Sequence, residues 1–233
     1  MMNLREGVII PIDKPYNITS FKALAHIRYL CTKAVDHKVK MGHAGTLDPL
    51  ATGVLLLCTG KATKRIDELQ SHTKEYTATL QLGATTDSYD REHTVNHTFP
   101  WRHITRQMIL DTLPHFIGNI EQVPPTYSAV KVNGERAFTY RRNGEQVTLK
   151  PKTVRIDEIE LTDFDPEKAR MSIRVVCGKG TYIRALARDL GKALGSGAFL
   201  TALRRTRVGD IKVEDCIAYD SFPEWLEEQD PQY

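Results

Sequence analysis

Apolar residues fall into short bounded groups along this chain, and their spacing predicts its elements. Gly7–Asp13 reads as a strand, closed by a turn at Pro15 and Asn17. Phe21, Leu24, Ile27 and Leu30 then recur at helical spacing, which predicts a helix over Phe21–Ala34 with Thr19 or Ser20 as N-cap. Val54–Cys58 is an unbroken apolar run between Gly53 and Gly60, and its length suits a core strand better than a helix. Lys61–Leu69 can form a short helix. Thr73–Leu82 alternates, with Tyr76, Ala78, Leu80 and Leu82 on one face, so it reads as a half-buried strand.

The second half is less regular. Gly83–Pro100 is polar, Ile104–Leu113 reads as a helix, and Phe116–Val123 and Thr126–Val132 read as strands interrupted by Pro124-Pro125. Arg136–Arg142 reads as a short basic helix. Thr153–Leu161 and Met171–Cys177 read as strands joined by a turn, and Gly178 and Gly180 lead into a helix over Tyr182–Leu194. Ile183, Leu186, Ala187 and Leu190 form its apolar face, and Arg184 and Arg188 stand one turn apart on it. Phe199–Lys212 reads as extended and Tyr219–Glu228 as a closing helix. No fixed-period repeat occurs. Irregularly interleaved strands and helices predict an α/β or α+β domain with a mixed, largely antiparallel sheet.

Composition narrows this little. A chain of 233 residues with 41% hydrophobic and 26% charged content can bury a sizeable core. No apolar run is long enough to span a bilayer, and the N-terminus shows no secretory signature, so a cytoplasmic protein is expected. Cys31, Cys58, Cys177 and Cys216 are widely spaced and read as reduced core residues. Net charge is +3, but basic residues cluster at Arg204-Arg205 and Arg207, at Arg141-Arg142, at Arg184 and Arg188, and at Lys61, Lys64 and Arg65. Such clusters fit either a nucleic-acid backbone or a solvated surface. No glycine-rich nucleotide motif is present. His93, His97 and His103 have no thiol and no fixed ligand spacing to support a metal site.

The candidate chemistry centres on Met41–Lys61, MGHAGTLDPLATGVLLLCTGK. Gly42, Gly45 and Gly53 permit positive φ, and His43, Thr46 and Asp48 are its polar groups. Pro49 pushes Asp48 out of helical geometry. A carboxylate on a stiff loop beside a core strand can cap a turn, or serve as nucleophile or base if it is ionised and aimed. A guanidinium nearby would do both, and Arg184, after a Gly-Lys-Gly-Thr turn, is the best placed by context. Tyr76 and Tyr182 could stack on bases or pack in the core.

GHAGTLDPLATGVLLLCTGKATK resembles the TruB family of bacterial tRNA pseudouridine-55 synthases. So do DKPYNITSF, KEYTATLQLGATTDSYD, QVPPTYSAVKVNGERAF and CGKGTYIRALARDLGKALGSGAFLTALRRTRVGDI, in family order over most of residues 8–212. The resemblance implies the α/β (α+β) pseudouridine synthase fold: a mixed, largely antiparallel central sheet flanked by helices, with a catalytic cleft. It implies a single domain over 1–233 with a T-arm-gripping insertion at about 121–150. Asp48 is then the catalytic aspartate, Arg184 its guanidinium partner, and Tyr76 the tyrosine that stacks on the target base. His43, Tyr182 and Leu203 would meet the substrate, and Lys131, Arg136 and Arg142 would meet phosphates.

The implied reaction breaks the N1–C1′ bond of uridine, turns the uracil, and joins its C5 to C1′. Uracil supplies its own carbon nucleophile, so no cofactor or metal is required. The expected partner is the T-arm stem-loop of tRNA, with no membrane, no protein partner, and a monomeric enzyme. Asn17 stands where the family usually has glycine, and Asn tolerates positive φ. REHTVNH, after Asp90, lacks the usual glycine. The chain ends soon after the L-R-R segment, where many members carry an RNA-binding PUA domain, so none is expected. The rival reading is a catalytically weak tRNA-binding folding chaperone with the same fold.

Overall fold

The computed structural model describes residues 1–128, 131–132, 135–136 and 149–233. They form two compact units, 1–76 with 204–233, and 77–203. The chain passes between these units within two strands, Lys74–Leu82 and Ala198–Val208.

In the first unit, Ile9–Lys14 pairs antiparallel with Thr52–Thr59, from Ile9 opposite Cys58 to Lys14 opposite Gly53. The other edge of Thr52–Thr59 is shared. Met41–Ala44 runs antiparallel along its far end, and Arg204-Arg205 pairs parallel with Thr52-Gly53 at its start. Ile217-Ala218 is parallel to Ile12-Asp13, so the sheet is mixed.

Successive side chains of a strand point to opposite faces, and here both faces are covered. Leu55 and Leu57 join Ile10, Ile12, Leu24, Ile27 and Phe222 in one apolar cluster, to which the helices Ser20–Ala34 and Phe222–Glu228 contribute. Val54, Leu56 and Cys58 join Ala44, Leu69 and Val208 in another. A strand buried on both faces cannot alternate with polar residues, which is why Val54–Cys58 is wholly apolar. Thr19 is the N-cap of Ser20–Ala34, its hydroxyl accepting the Lys22 amide at 3.0 Å. Asn17 takes a φ of 64°, so the preceding turn keeps left-handed geometry without glycine.

In the second unit, Lys152–Asp165 pairs antiparallel with Arg170–Cys177 on one side and with Gly118–Gln122 on the other. It outruns the expected end at Leu161 because the hairpin continues to Phe164 opposite Met171 and Asp165 opposite Arg170. The helix Ile183–Ala193 buries its predicted apolar face and also Arg184 and Arg188. Ala84–Thr86 and Val95–Thr98 form a small hairpin within the polar stretch.

Two expectations are corrected. Arg136 does not begin a helix: Glu135-Arg136 is a strand antiparallel to Lys131-Val132, and Arg142 lies outside the described residues. The Asn-Gly pair between those strands in sequence is a hairpin signal that the basic clustering obscured. Residues 126–128 are bends, so the strand expected over Thr126–Val132 is confined to Lys131-Val132 among the described residues.

Cys31, Cys58 and Cys177 are buried and no disulfide joins the cysteines. Burial pushes the thiol of Cys31 up to about 12 and that of Cys58 up to about 11, which removes both as nucleophiles at neutral pH. Among the described residues no helix is long and apolar enough to cross a membrane.

Gly42 does not adopt positive φ; a Cβ there would come 2.6 Å from Cδ1 of Ile66, so the constraint is space. Gly53 does, at 105°, and a Cβ on it would collide with the Arg205 carbonyl and lie 2.8 Å from the Arg205 nitrogen. Gly53→Ala is expected to lower the unfolding free energy by about 2 kcal/mol or more. Urea unfolding reads this directly, and an unchanged midpoint would mean the parallel pairing gives way without cost.

Candidate active site

Asp48 sits in the loop between the paired strands Met41–Ala44 and Thr52–Thr59 of the first unit, and is half-buried. This loop is held from several sides. The Ser20 hydroxyl accepts the Leu47 amide at 2.8 Å and donates to the Leu47 carbonyl at 2.9 Å. The Ala51 amide donates to the Asp48 carbonyl at 3.1 Å. Lys14 Nζ donates to the Pro49 carbonyl at 3.3 Å, and to those of Pro15 and Ile18 at 2.8 and 2.7 Å. Arg205 donates from Nη2 to the Gly45 carbonyl at 2.9 Å and from Nε to the Val54 carbonyl at 2.8 Å.

Lys14 is fully buried. Burial pushes its ammonium down to about 8, a shift the Asp48 charge opposes and the Arg205 charge adds to. Lys14 was missed in the sequence, although the alternation Ile10, Ile12, Lys14 places it on the buried face of its strand. Lys14 thus sets a buried positive charge close to Asp48 and ties the loop that carries it through the Pro49 carbonyl.

His43 lies on the strand leading into the same loop and is half-buried, with Nδ1 lacking a hydrogen-bond partner among the described residues. Its imidazole is held below the ordinary value by burial and then by the Arg205 charge, so it is neutral at pH 7. Tyr76 is buried, 8% exposed, on the inward face of its strand, the face on which the alternation places it with Ala78, Leu80 and Leu82. Glu75, beside it, accepts the Thr206 hydroxyl at 2.8 Å.

The second unit holds the remaining candidates. Tyr182 is the N-cap of Ile183–Ala193, and the buried Gln122 side chain brackets its peptide, accepting the amide at 2.9 Å and donating to the carbonyl at 3.2 Å. Arg184 is 4% exposed. It donates to the Ser88 carbonyl at 3.1 Å and the Tyr127 carbonyl at 2.9 Å, and its Nε stands 3.8 Å from Oδ2 of Asp90. Asp90 is itself fixed, its Oδ1 accepting the Ser88 hydroxyl at 2.5 Å and the Glu92 amide at 2.9 Å. Asp90 was not singled out from sequence; the signal available was a carboxylate two residues from a serine in a polar stretch. Arg188 points the same way and donates to the Val123 carbonyl at 2.8 Å. Leu203 is half-buried on its strand. Lys131 and Arg136 lie opposite each other in a short antiparallel strand pair. The three histidines do not gather: His93 stacks on Tyr127 and His103 bonds the Leu194 carbonyl at 2.9 Å. No group able to hold a metal ion occurs among the described residues.

The mixed sheet with flanking helices agrees with what comparison with known proteins shows, that the chain is a pseudouridine synthase, an isomerase. It belongs to the TruB family. Residues 32–183 match the TruB family pseudouridylate synthase N-terminal domain and residues 184–233 the tRNA pseudouridylate synthase B C-terminal domain. It is 59% identical over 231 residues to the tRNA pseudouridine synthase B of Phocaeicola vulgatus, covering 98% of this chain and 97% of that one. The protein of the same name from Bacteroides thetaiotaomicron is 57% identical over 232 residues, covering 98% and 97%. That from Dechloromonas aromatica is 46% identical, covering 91% of this chain and 68% of its own length. Among solved structures, a chain of a Cbf5-Nop10-Gar1 complex superposes with a TM-score of 0.71 at 30% identity, over 97% of this chain and 57% of that chain. A chain of an H/ACA RNP bound to a substrate RNA containing 2'-deoxyuridine gives 0.68 at 28% identity, over 97% and 56%.

The neutral His43 has a consequence for stability. As pH falls below 6.5, the ordinary imidazole value, the unfolded chain takes up a proton that folded His43 resists. Its share of stability is therefore present above that value and lost below it. Thermal unfolding of wild type and His43→Gln should show the gap moving in the variant's favour between about pH 7 and about pH 5. A pH-independent gap would contradict the depressed imidazole.

Proposed function

We propose that this protein is a tRNA pseudouridine synthase that isomerises the T-loop uridine at position 55, with Asp48 as catalytic nucleophile or base. The observation that carries the reading is identity of 59% and 57%, at near-full length, to proteins named tRNA pseudouridine synthase B. The pinned Asp48 loop supports it, because a carboxylate held in one geometry before substrate arrives needs little reorganisation during the reaction.

In this reading the N1–C1′ bond breaks, the uracil turns, and C5 bonds to C1′ while the C5 hydrogen leaves as a proton to water. The target is stacked in a folded loop and must first be flipped out, at a cost of a few kcal/mol. His43, neutral and half-buried, is suited to fill the space the base leaves, since an uncharged ring can stack without the cost of desolvating a charge. Tyr76 and Tyr182 would stack on the extruded base and Leu203 would pack against it. Arg184 would serve the Asp48 carboxylate when substrate is bound, and its hold on the Ser88 and Tyr127 carbonyls would keep the guanidinium oriented. Lys131, Arg136 and Arg142 would grip T-arm phosphates. The enzyme would act as a monomer, in the cytoplasm, where tRNA matures.

A T-arm stem-loop carrying tritium at uridine C5 tests this. Wild type should release tritium to water; Asp48→Asn should bind the RNA and release none. Arg184→Lys should lose turnover with modest loss of binding, because an ammonium cannot reach two carbonyls as a planar fork does. Binding without release by wild type would replace the reading with the non-catalytic chaperone, and full release by Asp48→Asn would remove Asp48 from the chemistry.

A further inference from the structure

Among the described residues Arg205 is the largest fully buried side chain, 1% exposed, although it belongs to a basic cluster that sequence alone would place at a surface. Its neighbour Arg204 is half-exposed and bonds Asp13 at 2.7 and 3.1 Å, so the two adjacent arginines have different tasks. The guanidinium of Arg205 reaches two main-chain carbonyls that flank one segment distant from it in sequence. Nη2 meets Gly45 at 2.9 Å, before Asp48, and Nε meets Val54 at 2.8 Å, after it. The backbone of Arg205 meanwhile pairs with Gly53. One residue thus grips both ends of the segment that carries Asp48.

We propose that Arg205 is a positioning residue for the isomerisation, fixing the Asp48 carboxylate by clamping the carbonyls at both ends of its loop. This rests on the assignment of Asp48 above. The planar guanidinium suits the task, since its N–H groups are fixed relative to one another and tie the two carbonyls in one geometry. No side chain with a single nitrogen centre at the end of a flexible stem reproduces that spacing. Gly45 contributes the fit: it adopts a φ of 86°, and a Cβ on it would stand 3.4 Å from Nη1 of Arg205. The closeness of the Arg205 charge to the loop is also felt at His43, whose imidazole it helps to keep neutral. Ser20 and Lys14 hold the middle of the loop, so losing the clamp frees its ends without unfolding it.

The test uses Arg205→Lys in the full chain, with the C5-tritiated T-arm stem-loop as probe. Lysine keeps the charge and the apolar stem but cannot hold both carbonyls in the same geometry. The single-turnover rate should fall about 100-fold while stem-loop affinity stays within about threefold, the signature of a misplaced group rather than a lost binding surface. Gly45→Asn provides a second route should Arg205→Lys fail to fold. Asn tolerates positive φ, and its side chain displaces the guanidinium from the Gly45 end, so the same split is expected. Asp48→Asn is run alongside. If it is inactive while a folded Arg205→Lys or Gly45→Asn turns over like wild type, the clamp is overturned and Asp48 stands. If Asp48→Asn is active, the assignment of Asp48 fails. Equal losses of rate and affinity in the clamp variants would also overturn the proposal, since they mark a general structural defect.

Discussion

The first unit depends on how a loop's carbonyls are held by buried side chains. The Asp48 loop leaves one strand of a sheet and rejoins another whose two faces are apolar, and several of its backbone oxygens take side-chain partners. Buried donors supply them: Arg205 at the ends, Lys14 at Pro49, and Ser20 around Leu47. Burying a cation costs several kcal/mol unless it is fully hydrogen-bonded, and these two cations spend their donors on main-chain carbonyls. The result is a loop whose shape follows from the core, so the carboxylate it carries inherits the core's rigidity.

The second unit uses the same device on a different element. Arg184 and Arg188 sit on the buried side of Ile183–Ala193, where an amphipathic pattern would place apolar residues, and both donate to carbonyls of loop segments. Asp90 stands beside Arg184 and is fixed through Ser88 and Glu92. The guanidinium is held by a polar shell assembled from residues spread between Ser88 and Tyr127. Pseudouridine formation needs no imported reagent, so orientation of a few polar groups is the main thing such a scaffold has to supply.

Much of the fold was legible because local chemistry and tertiary setting agree. Thr19 caps its helix, the strand at Val54–Cys58 is apolar on both faces, and Asn17 occupies the left-handed region. Errors arose where the two disagree. Basic clustering suggested surface for Arg184, Arg188 and Arg205, yet each is buried because its donors meet carbonyls from distant segments, which no local pattern records. Lys14 escaped notice because a lysine at the end of a strand is usually solvated, and Asp90 because it lies in an irregular polar stretch. Arg136 was assigned to a helix because a basic run was weighed above the Asn-Gly pair before it.

The rigidity of the Asp48 loop can be measured without substrate. Amide hydrogen exchange of the free protein reports opening at Leu47, whose N–H meets the Ser20 hydroxyl, and at Ala51, whose N–H meets the Asp48 carbonyl. Both amides should exchange only through large-scale opening, with protection approaching that of the Thr52–Thr59 strand. Exchange at the rate of an unprotected surface loop would contradict the account, because the carboxylate would then be positioned by the RNA and not by the fold.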